Sequence, residues 1–347
     1  MEITESGLIY PDCTYEELAL LEEVRPNIYH SSYDMHGFPF ATRLEQYVIV
    51  EPGKRALLID TGWYEITGTR FIDEVVRRWD IPWENLEIFI THFHIDHEGN
   101  LAYCLSKGAR VVYHGPHMPI TPQRVEAYCV QSGCRRARDF GIRMNVKSVG
   151  GRLEESLYYP RHEVELHEWD TLKIAGYEFM PVFTPGHACD HVCLYEVNEH
   201  FMFTGDHVTH GGPGLYQLRA DEHCIMKYLQ SFDRIKALRP AEMYMAHHPM
   251  LLPEEGIAMI DRSIASYEKP LTKCLNHVRE AGKPVTAYEV AQMNYAHKEN
   301  GLFSYDNDIR TRKVLNQFAY LEYLHDTFKV GRQRASDGAL EYFIQGE

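Results

Sequence analysis

The stretch Thr91-His92-Phe93-His94-Ile95-Asp96-His97 sets three imidazoles and a carboxylate directly after the apolar run Leu86-Glu87-Ile88-Phe89-Ile90. A strand that ends in such groups presents them at the rim of a sheet. Neutral imidazole nitrogen and carboxylate oxygen are preferred donors for zinc and similar borderline ions. One His in a strand is ordinarily a packing residue; three with an Asp in H-x-H-x-D-H spacing point to a metal site. Three further islands follow strand-like runs: Thr184-Pro185-Gly186-His187 after Phe179 to Phe183, Thr204-Gly205-Asp206 after Phe201-Met202-Phe203, and Met245-Ala246-His247-His248-Pro249 after Glu242-Met243-Tyr244. The order strand, small residues, ligand type therefore recurs along the chain.

The elements that must carry these groups are legible in outline. Gln46 to Val50, the turn Pro52-Gly53 and Ala56 to Asp60 read as a hairpin. Apolar residues at Phe71, Ile72, Val75, Val76 and Trp79 give helical spacing over 69–79. Strands are expected at 86–90, 110–113, 177–183, 191–197, 200–203 and 241–246, and a helix at 221–238. Hairpins first, then strands alternating with helices, suggest two packed sheets with helices outside. From about Pro253 the pattern becomes helical: a long helix ending near Ala281-Gly282-Lys283-Pro284, a capped start at Thr286-Ala287-Tyr288-Glu289, a helix over 308–325 and a strand at 340–344. This end reads as a small winged-helix-like domain. The expected division is 1–252 for the catalytic part, with a lid-like insertion at about 115–162, and 253–347 for the helical part.

Composition narrows the setting. With 35 basic against 50 acidic side chains the net charge is −15, which argues against nonspecific binding to nucleic acid or anionic membrane. No apolar run approaches the roughly 20 residues needed to cross a bilayer, and the acidic N-terminus shows no apolar signal region. The eight cysteines form no C-x-x-C pair, and reduced thiols in a cytoplasmic protein are the expectation.

With Ile59-Asp60-Thr61-Gly62, the H-x-H-x-D-H run, Thr184 to His187, Thr204 to Asp206 and His247, the chain resembles the metallo-β-lactamase-fold hydrolases, in the glyoxalase II and lactamase-like branch, over about residues 25–250. The resemblance implies an α+β fold, an αββα sandwich, and a dinuclear site. His92, His94 and His187 would hold one metal; Asp96, His97 and His247 the second; Asp206 would bridge them. Zinc is the first expectation, with iron and manganese the other candidates. Asp96 would also shuttle a proton, and Asp60 would orient a ligand imidazole through its other ring nitrogen. The family has a single His followed by Gly where this chain has His247-His248; Pro249 favours His247, and His248 is the alternative. His191 matches a recurrent family His and is expected to support the ligands. The C-terminal part resembles the winged-helix appendage of the subfamily that includes a human lactamase-like endoribonuclease and fungal polyketide thioesterases.

The expected activity is hydrolysis of an ester, a thioester such as an acyl-CoA, or a related small acyl substrate. The alternatives are a metal-dependent endoribonuclease and a mononuclear iron persulfide dioxygenase. A diiron flavoprotein fits less well, because those proteins carry Glu where His94 stands. A non-enzymatic binding module would have lost ligands, and none of the seven is lost. The insertion carries Arg124, Arg135, Arg136, Arg138, Arg143 and Lys147, so recognition of an anionic substrate group is one expectation and a solvated helix face the other. Arg310, Arg312, Lys313, Lys329, Arg332 and Arg334 are offset by Asp306, Asp308, Glu322, Asp326 and Asp337, so the helical end is expected to pack on the catalytic part or to build a homodimer. A small molecule is the favoured partner over nucleic acid.

Overall fold

The computed structural model describes residues 21–35, 43–63, 66–116, 122–134, 161–209, 214–215, 217–305 and 307–345. Four strands, β1 (Glu22–Arg25), β2 (Ile28–Asp34), β3 (Arg43–Glu51) and β4 (Arg55–Ile59), run antiparallel in sequence order. After helix α1 (Ile66–Arg78), strand β5 (Leu86–Ile90) joins β4 in parallel. The short α2 (Ile95–Glu98) and α3 (Leu101–Lys107) lead to β6 (Val111–His114), α4 (Pro122–Gln131) and β7 (His162–Glu165), which extend this first sheet in parallel to seven strands. The second sheet contains β8 (Leu172–Ile174), β9 (Tyr177–Phe183), β10 (Val192–Glu196), β11 (Phe201–Gly205) and, after α5 (Cys224–Leu238), β12 (Glu242–Met245). Here β8 to β11 are antiparallel neighbours and β11 pairs with β12 in parallel.

The layering follows from alternation. Successive strand side chains point to opposite faces, and in β3 to β5 both faces are apolar. Val48, Val50, Ala56, Leu58, Ile88 and Ile90 pack against α1 and α3. Their neighbours Tyr47, Ile49, Leu57, Ile59 and Phe89 pack against the second sheet, on Phe179, Phe201, Phe203 and Tyr244. The second sheet alternates likewise: Leu194, Phe203 and Tyr244 face the first sheet, while Cys193, Met202, Met243 and Met245 face α5 and α6 (Pro253–Ala265). Helix, sheet, sheet and helix thus stack as the αββα sandwich.

The remaining elements are α7 (Glu268–Ala281), α8 (Ala287–Tyr295), α9 (Asn307–Asp326) and the antiparallel hairpin β13 (Gly331–Arg334) and β14 (Leu340–Phe343). The single long helix expected before Gly282 is instead two, α6 and α7, broken at Ser266-Tyr267. Pro270 has no N–H to continue the ladder and is tolerated only in a first turn, so the helix restarts at Glu268. The expected cap at Thr286 is present: its Oγ1 accepts from the Glu289 N–H at 3.3 Å, and Glu289 Oε2 accepts from the Thr286 N–H at 2.8 Å. Tyr128 and Cys134, on and just beyond α4, share a core with Val290, Phe318 and Tyr342 of the helical end. The seven cysteines among the described residues are free thiols. Among the described residues no helix is long and apolar enough to cross a membrane.

Candidate metal centre

The C-terminal ends of β4, β5, β9, β11 and β12 carry the chemistry-bearing residues, each within a few positions of its strand end. This is the edge at which sheets of this kind present ligands. Two groups of donors result: His92, His94, His187 and Asp206, and Asp96, His97, Asp206 and His247, with the donor atoms of each group all within 4.8 Å of one another. Every member is buried except His247, which is partly exposed.

Within the first group, His94 Nδ1 lies 2.9 Å from both His92 Nε2 and His187 Nε2, and Asp206 Oδ2 is 3.5 Å from His187 Nε2. Within the second, Asp206 Oδ1 lies 3.4 Å from His97 Nε2 and 3.3 Å from His247 Nε2, while Asp96 Oδ2 is 3.2 Å from His247 Nε2 and 3.8 Å from His97 Nε2. Two donors bound tetrahedrally to one ion at the usual zinc distances stand about 3.3 Å apart. His97 Nε2 and Asp206 Oδ1 are buried and make no hydrogen bond, an arrangement that costs energy unless something else satisfies them. The residues fit two divalent ions: His92, His94 and His187 would hold one, Asp96, His97 and His247 the other, and Asp206 would serve both.

The ring nitrogens on the far side fix this geometry. Nδ1 of His92 meets Thr91 Oγ1 at 3.0 Å, that of His97 meets Asp60 Oδ2 at 2.8 Å, that of His187 meets the Gly214 carbonyl at 2.9 Å, and that of His247 meets the Arg43 carbonyl at 2.8 Å. Each oxygen can take an Nδ1–H, which leaves the Nε2 lone pair turned toward the site. Asp60 has φ 58°, in the left-handed region that Asp tolerates better than most residues. From there it accepts the Thr91 N–H at 2.7 Å and the Thr91 hydroxyl at 2.9 Å. Asp60→Asn keeps the shape but removes the charge facing His97. It is expected to weaken metal binding at the Asp96/His97/His247 group by about tenfold to a hundredfold, read from metal titration of the chelator-stripped protein.

Electrostatics separates the two groups. Burial, reinforced by the neighbouring imidazoles, pushes His92 and His94 well below the ordinary histidine range, so both are neutral donors. Burial also acts against charge on His97 and His247, but Asp206, Asp60 and Asp96 outweigh it at His97, and Asp206 with Asp96 raise His247 to about 10. Burial opposes ionisation of Asp96 and Asp206 as well, yet the facing histidines hold Asp96 at about 2 and keep Asp206 well below the usual carboxylate range.

A family model, the metallo-beta-lactamase superfamily, matches residues 45–247, more than half of the chain. The chain belongs to that superfamily. The hydroxyacylglutathione hydrolase of Klebsiella pneumoniae is 24% identical over 253 residues, which are 71% of this chain and 83% of that protein. A metallo-beta-lactamase family protein of Thermus thermophilus has the same fold, with a TM-score of 0.66 at 19% identity over 92% of this chain and 99% of that one. A beta-lactamase domain protein of Burkholderia ambifaria scores 0.65 at 20% identity over 93% of each. Fold, family and the two donor groups make the protein a metal-dependent hydrolase of the metallo-beta-lactamase superfamily.

The other residues singled out in the sequence stand as follows. His191 is buried beside His92, with ring centroids 5.0 Å apart, and its Nδ1 meets Thr184 Oγ1 at 2.8 Å; it belongs to neither donor group. His248 turns its Nδ1 to the Pro249 carbonyl at 2.9 Å, and His247, not His248, stands in the donor group. Arg124 is ion-paired with Glu222. Arg135, Arg136, Arg138, Arg143 and Lys147 lie outside the described residues. Sequence reasoning missed Thr91, which links Asp60 to His92, and the two orienting carbonyls. The hydroxyl was there to be found next to the first His; a carbonyl leaves no trace in residue type.

Proposed function

We propose that the protein hydrolyses an ester or thioester of a small acyl group, acyl-CoA among the candidates, with zinc at both positions. The observation that carries this reading is Asp206, whose two carboxylate oxygens face different donor groups, so that two metal positions lie side by side. Divalent ions held there would supply hydroxide near neutral pH and a Lewis acid for the carbonyl oxygen. Asp96 receives the proton of the nucleophile, for which it must be ionised, and the facing histidines keep it so. The glyoxalase II-like relative supports an acyl substrate, since its name is that of a thioester hydrolase. Free cysteines support a reducing, cytoplasmic setting.

The packing of α9 weighs against nucleic acid as substrate. In a winged helix that binds DNA the last helix enters a groove. Here that helix lies on α5: Ala319 is buried in the α5 core, Tyr320 and Tyr323 pack on it, and His223 Nδ1 lies 2.7 Å from Asp326 Oδ2. The test is an assay of the metal-replete protein on acyl-CoA and acylglutathione thioesters, lactones, and single-stranded and structured RNA. Thioester turnover that is abolished in His94→Ala is expected. Cleavage of RNA without thioester turnover would overturn the proposal, as would one iron per chain with oxygen consumption on a persulfide.

A further inference from the structure

His187 differs from His97 and His247 in where its orienting bond comes from. Asp60 and Arg43, which hold His97 and His247, belong to the first sheet and its rim. The Gly214 carbonyl that holds His187 belongs to a segment crossing from β11 to α5. The following residues of that segment are fastened to the helical end and to α4. Leu215 is buried in the α5 core, but Leu218 is buried in the core of α7, α8 and α9. The Ala220 N–H donates to Gln131 Oε1 of α4 at 3.0 Å, and Glu222 takes the Leu218 N–H at 2.6 Å while pairing with Arg124 of α4. The Arg124–Glu222 pair is largely buried, with side-chain exposures of 15% and 9%. Arg124 also interacts with the Cys189 thiol, two residues beyond His187.

Helix α4 is itself part of the helical body. Tyr128 sits in its core, 6.1 Å from Phe318 between ring centroids, and the Tyr288 N–H donates to the Ser132 carbonyl at 3.0 Å. The chain that supplies the Gly214 carbonyl is thus fastened to this body a few residues on, at Leu218, Ala220 and Glu222, and Cys189 meets it at Arg124, whereas Asp60 and Arg43 hold His97 and His247 from the first sheet.

We propose that α4 and the C-terminal helices, acting through Arg124, Gln131 and residues 214–215 and 217–222, set the metal affinity of the His92/His94/His187 position separately from that of the other position. A ligand imidazole is only as well placed as the group that fixes its far nitrogen. Loosening that segment lets the His187 ring swing while Asp60 and Arg43 keep the second group in place. The inference rests on the metal-centre reading.

The test uses cobalt(II) titration of the chelator-stripped full chain in two backgrounds. His97→Ala leaves the His187 group intact, and His187→Ala leaves the His97 group intact. Arg124→Ala is expected to raise the cobalt dissociation constant about tenfold or more in the first background and to leave it unchanged in the second. Gln131→Ala removes one hydrogen bond without stranding a charge; it is expected to shift the first background in the same direction by a smaller factor, and it carries the test if Arg124→Ala does not fold. An equal shift in both backgrounds, or no shift in the first, overturns the inference. If neither background binds cobalt, the metal-centre reading falls and the inference with it.

Discussion

Asp206→Asn is expected to lose metal from both positions, whereas His187→Ala or His247→Ala loses it from one. The reason is geometric. Asp206 Oδ2 stands 3.5 Å from His187 Nε2, and Asp206 Oδ1 stands 3.3 and 3.4 Å from the Nε2 atoms of His247 and His97. An asparagine of the same shape keeps one oxygen and turns an amide donor toward the other cation. It also removes the negative charge shared by two divalent ions, at a site where burial strengthens electrostatics. Hydrolytic activity is expected to fall by at least about 10²–10³-fold, on the scale of losing a group that stabilises transition-state charge. Elemental analysis after dialysis reads the metal, and the comparison with His247→Ala is decisive. If Asp206→Asn retains two metals per chain, or loses only what His247→Ala loses, Asp206 does not bridge.

How far the sequence disclosed this protein depends on what kind of atom is asked about. His92, His94, Asp96 and His97 were legible because side-chain type and spacing both point to ligation, and because an apolar run places them at a strand end. The two-sheet sandwich was legible in outline; in β3, alternate residues serve different layers, so Val48 meets helices while Ile49 meets the second sheet. The break between α6 and α7 was not anticipated, since apolar spacing runs through it and only Pro270 marks the restart. The role of α4 was hidden more deeply. Tyr128 lies in the insertion that reads as a lid, yet it is fully buried against a helix nearly two hundred positions later, and nothing local in sequence encodes that contact. The Arg43 carbonyl is 204 positions from the ring it orients. Backbone acceptors of this kind are set by topology, which is why the donor side chains were visible while the two carbonyls that aim His187 and His247 were not.

The loop that carries His187 has a second restraint, and Gly186→Ala is expected to break it. Gly186 has φ 150°, a conformation that side-chain-bearing L residues rarely adopt. A Cβ there would stand 2.5 Å from Tyr228 Cα and 2.8 Å from Tyr228 N. These are backbone atoms in the middle of α5, so no rotamer change relieves the clash. Nor can α5 easily retreat: Tyr228 is fully buried, its hydroxyl donates to the His207 carbonyl at 2.9 Å, and Ser231 Oγ donates to the Pro185 carbonyl at 2.9 Å. Backbone strain and overpacking together put the expected loss at about 2–5 kcal/mol, a fall in Tm of about 5 °C or more. Because His187 is the next residue, the same displacement is expected to weaken the His92/His94/His187 position. His187→Ala separates the two effects: it removes the ligand without the collision, so it should lose that metal while the chelator-stripped protein keeps its Tm. If Gly186→Ala melts like the parent and keeps both metals, the loop is not clamped on α5, and Gly186 serves only as a turn.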